Sequence, residues 1–79
     1  LKLQMKYFAA IREACGKSEE LLETNSTNTH ELFEELTNLY GLQIDKKNLK
    51  VAINEEYSSF DAKFNELDIV ALIPPVAGG

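Results

Sequence analysis

The run Ile69-Val70-Ala71-Leu72-Ile73 constrains this chain more than any other stretch. Consecutive apolar residues of this length read as a strand, and such a strand has to be buried on at least one face. Pro74 and Pro75 end it at once, because neither has an N–H to give a sheet ladder and each fixes its own φ. The last four residues, Val76-Ala77-Gly78-Gly79, carry nothing bulky and nothing that folds locally. The fold must therefore be assembled upstream, with this last strand inside it. The spacing predicts two parts: a body over 1–73 and an extended tail over 74–79.

Such a tail is built for access. Gly78 and Gly79 have no Cβ, so their backbone can pass through a narrow channel and leave the carboxylate of Gly79 open to attack from either side. Fully extended, the tail reaches roughly 20 Å. The body could dock outside a partner while Gly79 sits in that partner's active site.

Composition narrows the partner. The chain has 79 residues, enough for one small domain. A chain of this size buries only about 60% of its unfolded surface, so its stability margin is small. Thirteen acids against eight bases give a net charge of −5. That argues against nucleic acid and anionic membrane as partners and suits a basic groove on another protein. A single cysteine excludes an internal disulfide and a Cys-based metal cluster. No apolar run is long enough to span a membrane and no signal-peptide pattern opens the chain, so the expected location is cytoplasmic.

Taken in order, Leu1, Leu3, Met5 and Tyr7 alternate with Lys2, Gln4 and Lys6, the pattern of a half-buried strand. Phe8 breaks it by placing a ring on the polar face. Residues 9–15 favour a short helix closed by Gly16. Residues 19–24 offer a second strand around Leu21 and Leu22, pairing antiparallel with the first. A longer helix comes after the polar loop Asn25-Ser26-Thr27-Asn28, with Thr29 as its N-cap or Asn28 and Glu31 as a capping box one residue earlier. Its apolar stripe is Leu32, Phe33, Leu36, Leu39 and Tyr40, its outer face Glu31, Glu34, Glu35 and Asn38, and Gly41 ends it. Leu49, Val51 and Ile53 alternate as a third strand, Asn54-Glu55-Glu56 turns, and Tyr57 returns briefly. Phe60 and Phe64 anchor the loop before the last strand. The order predicts an α+β fold, a mixed sheet with helices packed on one face. Its last strand is central and runs parallel to the first.

No catalytic constellation is present. His30 is the only histidine and reads as a surface residue at a helix start. Cys15 reads as a small buried hydrophobe, with no base arranged beside it but Arg12 and Lys17. The pairs Glu19-Glu20, Glu34-Glu35 and Glu55-Glu56 point apart on a strand or helix and read as solvated faces. No phosphate-cradling glycine loop exists. One further signal lies on the sheet face that the helices leave open. Phe8 and Ile73 point there from adjacent strands, with Tyr57 joining them, which makes a candidate docking patch at the root of the tail.

Three stretches carry a resemblance. They are Phe8-Ala9-Ala10-Ile11-Arg12-Glu13, Val51-Ala52-Ile53-Asn54, and 68–79 with its Pro-Pro-Val-x-Gly-Gly ending. The chain resembles, over its whole length, the MoaD family of molybdopterin synthase small subunits, within the wider β-grasp (ubiquitin-like) sulfur carriers. The resemblance implies a β-grasp fold and a protein that is not an enzyme by itself. A MoeB-type, E1-like adenylyltransferase would use ATP to adenylate Gly79, and sulfur would then replace AMP to leave a C-terminal thiocarboxylate (1-thioglycine). A MoaE-type large subunit would take up the tail, residues Pro74, Pro75, Val76, Ala77, Gly78 and Gly79. There the sulfur passes to cyclic pyranopterin monophosphate, within a heterotetramer. Family contact positions correspond to Phe8, Tyr57 and Ile73, and Arg12 would pair with an acid on the partner. The chain itself would bind no cofactor and no metal.

One departure stands out. Family members usually carry Asp-Gly-Asp-Glu before the last strand, where this chain has Glu66-Leu67-Asp68-Ile69. The missing glycine removes the residue that takes φ > 0 at least cost, which leaves the geometry of this turn open. The same terminus would also serve a thiamine-pathway sulfur carrier or a ubiquitin-like modifier conjugated through Gly79.

Overall fold

A computed structural model describes residues 1–75; Val76, Ala77, Gly78 and Gly79 lie outside the described residues. Among the described residues the order is β1 (Lys2–Tyr7), α1 (Ala9–Cys15), β2 (Glu19–Glu23), α2 (Thr29–Tyr40), a 3₁₀ turn (Lys46–Asn48), β3 (Lys50–Ile53), β4 (Glu56–Ser58) and β5 (Ile69–Ile73). The strands form one mixed sheet in the order β2-β1-β5-β3-β4. β5 is central, parallel to β1 on one side and antiparallel to β3 on the other. A parallel pair needs a long crossover, and here α1, β2, α2 and the β3–β4 hairpin all lie between the two central strands.

The alternation in β1 sends Leu3, Met5 and Tyr7 inward, and β5 answers with Val70 and Leu72. Met5 pairs with Val70, Tyr7 with Leu72, and Val51 of β3 with Leu72. α2 lays Leu32, Phe33 and Leu36 over this layer, and α1 adds Ile11 and Cys15. Truncating a fully enclosed side chain such as Leu36 to Ala would cost about 2–5 kcal/mol. Leu39, at helical spacing with that stripe, is instead exposed, as is Leu1. Leu39 lies one step past the contact edge of the helix, and Leu1 precedes the first paired residue of β1.

Both helices end on glycine in the left-handed region, Gly16 and Gly41, as the sequence predicts. The N-cap of α2 is Asn28, whose side chain accepts from the Glu31 N–H at 3.0 Å. Glu31 reaches back to the N–H and hydroxyl of Thr27 rather than to Asn28. Thr29 is therefore the first helical residue, and it is buried. The backbone N–H groups of Thr29 and His30 donate to the Phe60 carbonyl, tying the start of the helix to the loop before β5.

Leu67 answers the question left by the missing glycine. It adopts φ 66° all the same, with its side chain exposed. Its N–H donates to the Lys2 carbonyl at 2.7 Å, Asp68 N–H donates to the Asn65 carbonyl, and the Asp68 carboxylate accepts from Asn65 N–H at 2.8 Å. The hydrogen bonds outweigh the one to two kcal/mol or so that an L-residue gives up in this region.

Candidate functional site

Register alone builds the outer sheet face. Because Tyr7 and Leu72 face the core, their neighbours Lys6 and Ala71 face out, and the alternation carries Ile69 and Ile73 to the same side. Ala52 of β3 lies opposite both Ala71 and Tyr57, and Lys50 lies opposite Ile73. The apolar line Ile69, Ala71, Ile73 thus runs up the middle of the sheet towards Pro74 and Pro75. The strand is buried on one face, and on the other Ile69 is exposed and Ala71 and Ile73 are half-buried. Among the described residues, nothing packs over this face.

Phe8 prolongs β1 by one extended residue, with φ −131° and ψ 152°, and its ring is 44% exposed. Since Tyr7 sits beside Leu72, Phe8 falls at the level of Ile73. The chain then turns into α1 through Ala9 at φ 49°. Tyr57 is 73% exposed, the most open large apolar side chain on this face, and Lys50 Nζ lies 5.8 Å from its ring centroid. The candidate residues Phe8, Tyr57 and Ile73 therefore share one sheet face. Arg12 is exposed on α1 and makes no ion pair among the described residues. Pro74 is buried and Pro75 exposed, while Val76, Ala77, Gly78 and Gly79, also read as tail contacts, fall outside the described residues.

Charge on this face is mixed: Glu19 and Glu23 of edge strand β2 turn out opposite Lys6 and Lys2. Lys6 and Lys50 point out from β1 and β3, beside the root of the tail. The acids of Glu31 and Glu34 lie on α2, on the opposite side of the sheet. Net charge suggests a basic groove as the receptor; next to Ala71 and Ile73 this face carries Lys6 and Lys50.

The other chemistry-bearing residues serve the fold. Glu20 is not a solvated acid: its carboxylate accepts hydrogen bonds from the hydroxyls of Tyr7 and Tyr40 and from Lys17 Nζ at 3.3 Å. Burial pushes its carboxyl up, but the bonds from Tyr7, Tyr40 and Lys17 outweigh burial and hold it below the usual carboxylate range. Burial and the Glu20 carboxylate together push the Tyr7 hydroxyl far above the usual tyrosine range. The alternation does hold the clue, since Glu20 and Leu22 share a strand face and Leu22 is buried. Glu35 likewise leaves the outer face of α2 to accept from the Thr24 and Ser26 hydroxyls. Cys15 is buried as expected, and burial first, then Glu20, pushes its thiol up to about 11. His30 lies at the surface at the start of α2, with its side chain 44% exposed. Its Nε2 lies 3.3 Å from Asp61 Oδ1, its Nδ1 3.3 Å from Lys46 Nζ, and its ring meets Phe60 edge-on. No group of three or more His, Cys, Asp or Glu side chains among the described residues could hold a metal ion.

A mixed sheet wrapped around one long helix, with an open apolar face running to its final strand, defines a β-grasp domain of the ubiquitin-like class. The chain belongs to the ThiS family, which matches residues 5–79. A curated relative, the molybdopterin synthase sulfur carrier subunit of Mycobacterium tuberculosis, is 33% identical over 82 residues, covering 100% of this chain and 99% of its own. Among solved structures, molybdopterin converting factor subunit 1 of Pyrococcus furiosus superposes with a TM-score of 0.78 at 28% identity, covering 96% of this chain and 99% of its own. The complex of subunits 1 and 2 of molybdopterin-converting factor from Helicobacter pylori contains a chain of the same fold, with TM-score 0.68, 21% identity and full coverage of both chains.

Proposed function

We propose that this chain is the sulfur carrier subunit of a molybdopterin synthase. The observation that carries the reading is the union of docking face and tail. The central strand presents Ile69, Ala71 and Ile73 outward, beside Phe8 and Tyr57, and then leads directly into residues 74–79. The relationship to the Mycobacterium tuberculosis subunit over the whole chain supports it.

The chemistry is set by what the terminus lacks. A carboxylate is a poor electrophile until one oxygen becomes a good leaving group. A MoeB-type adenylyltransferase supplies that by joining the Gly79 carboxylate to the AMP moiety of ATP, with loss of pyrophosphate. A sulfur nucleophile then attacks the acyl carbon and AMP departs, leaving a thiocarboxylate. A MoaE-type large subunit accepts the tail, and the thiocarboxylate sulfur passes to cyclic pyranopterin monophosphate. The present chain contributes binding energy and delivery, and its partners contribute the acid–base groups and ATP, so it is not an enzyme alone. The Helicobacter pylori complex of the two subunits supports a large-subunit partner. No helix among the described residues is long and apolar enough to cross a membrane, and cytoplasmic action fits an ATP-consuming activation step.

The test is mass spectrometry of the C-terminal fragment after incubation with a MoeB-type enzyme, ATP and a sulfur donor. Whole-protein mass is insufficient, because exchanging oxygen for sulfur nearly matches one oxidation at Met5 or Cys15. The expected product is a thiocarboxylate on Gly79 that the large subunit converts back to carboxylate as molybdopterin forms. A thiocarboxylate that the large subunit leaves untouched would favour the thiamine-pathway carrier. An isopeptide bond from Gly79 to lysines would favour the modifier.

A further inference from the structure

We infer that Lys6 and Lys50 form a two-pronged cationic brace at the root of the tail, and that the receiving surface of the large subunit presents two carboxylates to it, one on each side of the path of the tail. The inference rests on the proposed function, since it takes that subunit as the partner.

Position comes first. β5 is flanked by β1 and β3, and Lys6 is the register neighbour of Ala71 while Lys50 is that of Ile73. The two lysines therefore stand on either side of the strand that becomes the tail. Two strand spacings and a one-row offset place their Cα atoms on the order of 10–12 Å apart. Neither makes an ion pair among the described residues. By register the acid across from Lys6 is Glu19 on β2.

Burial then decides the chemistry of the partner. Lys50 Nζ sits 5.8 Å from the centroid of the Tyr57 ring. A protein that covers the largely exposed Tyr57 comes up against that ammonium. Lys6 has no aromatic partner but stands beside Ala71, one residue-row below Ile73 on the same open face, so a surface seated on Ala71 and Ile73 lies against it. An ammonium taken out of water without an anionic acceptor is heavily penalised. The surface that fits is an apolar one broken by two acids, and its attraction to this face opposes the net charge of −5 that the whole chain carries.

Stopped-flow association with the purified large subunit tests this at increasing sodium chloride. The wild-type rate should fall with salt, and Lys6→Glu and Lys50→Glu should each slow association by about tenfold. Lys6→Gln, which avoids setting a like charge against Glu19, should slow it about threefold. Lys63→Glu makes the same change in net charge in a loop outside the sheet and should stay within about twofold of wild type. An effect of Lys63→Glu equal to that of Lys50→Glu, or a wild-type rate that does not fall with salt, overturns the brace and leaves the proposed function standing. A wild-type chain that fails to bind the large subunit overturns both.

Discussion

Asn54 and Asp68 interlock the β3–β4 turn with the start of β5. Asn54 Nδ2 donates to Asp68 Oδ1 at 2.9 Å, and Asn54 Oδ1 accepts from the N–H of Ile69 at 3.0 Å. Asn54 also donates its own N–H to the Ile69 carbonyl, and the Asp68 carbonyl accepts from Gln4 N–H. Two side chains thus fix where the central strand begins, which sets every residue on its outer face. Asp68→Ala would leave the Asn65 N–H and the Asn54 amide without their acceptor at a part-buried corner. The expected loss is about 2–3 kcal/mol in urea unfolding. A loss below about 0.5 kcal/mol, the scale of ordinary surface substitutions, would show the corner is not a register lock.

Leu67 makes the opposite prediction. Its side chain is exposed and its φ is 66°, so the leucine contributes strain and little packing. Leu67→Gly relieves the strain and loosens the unfolded chain, and the net expectation is a gain of about 0.5–1 kcal/mol. Thermal or urea unfolding reads it directly. A destabilised variant would mean that the leucine side chain has an unseen packing role.

Glu20 predicts the acid limb of stability. Its folded pKa lies below the ordinary 4.5, held down against burial by hydrogen bonds from Tyr7, Tyr40 and Lys17. The unfolded chain therefore binds this proton first as pH falls. The stabilisation is complete above the unfolded value and disappears as pH falls from about 4.5 through the lower folded value. Glu20→Gln should be less stable at neutral pH and lose stability less steeply below pH 4.5. Parallel acid limbs for the two proteins would remove Glu20 from the account.

Phe8, Tyr57 and Ile73 predict binding without folding. Tyr57 and Phe8 are exposed, so Tyr57→Ala and Phe8→Ala should hold stability within about 0.5 kcal/mol. Affinity for the large subunit should fall about tenfold or more for each, as exposed aromatic anchors do when truncated. Ile73→Ala should weaken binding too, with some loss of stability because that side chain is half-buried. Unchanged affinity in all three variants would move the docking surface elsewhere.

The strands and helix caps are legible in the sequence because they depend on near neighbours. Alternation places Leu3, Met5 and Tyr7 inward, and one apolar run places β5 in the centre of the sheet. Phe8 and Ile73 fall side by side once that pairing is set. The features that escape a sequence reading depend on distant partners. Nothing near Glu20 in sequence announces that Tyr7 and Tyr40 converge on it, and nothing near Glu35 announces Thr24 and Ser26. Leu39 has the right spacing and still faces out, since spacing fixes the direction around a helix and not how far the neighbouring layer extends. Leu67 takes a conformation its side chain disfavours because the Lys2 carbonyl and Asn65 supply the bonds.

The place of β5 in the sheet has a mechanical consequence. A tail drawn into another protein pulls along the axis of the strand that bears it. β5 is hydrogen-bonded on both sides, to β1 and to β3, so the pull is met as shear across two ladders at once. An edge strand such as β2 or β4 would yield by peeling, one bond at a time. With β5 in the middle, the body would stay folded under a pull that would unzip an edge strand.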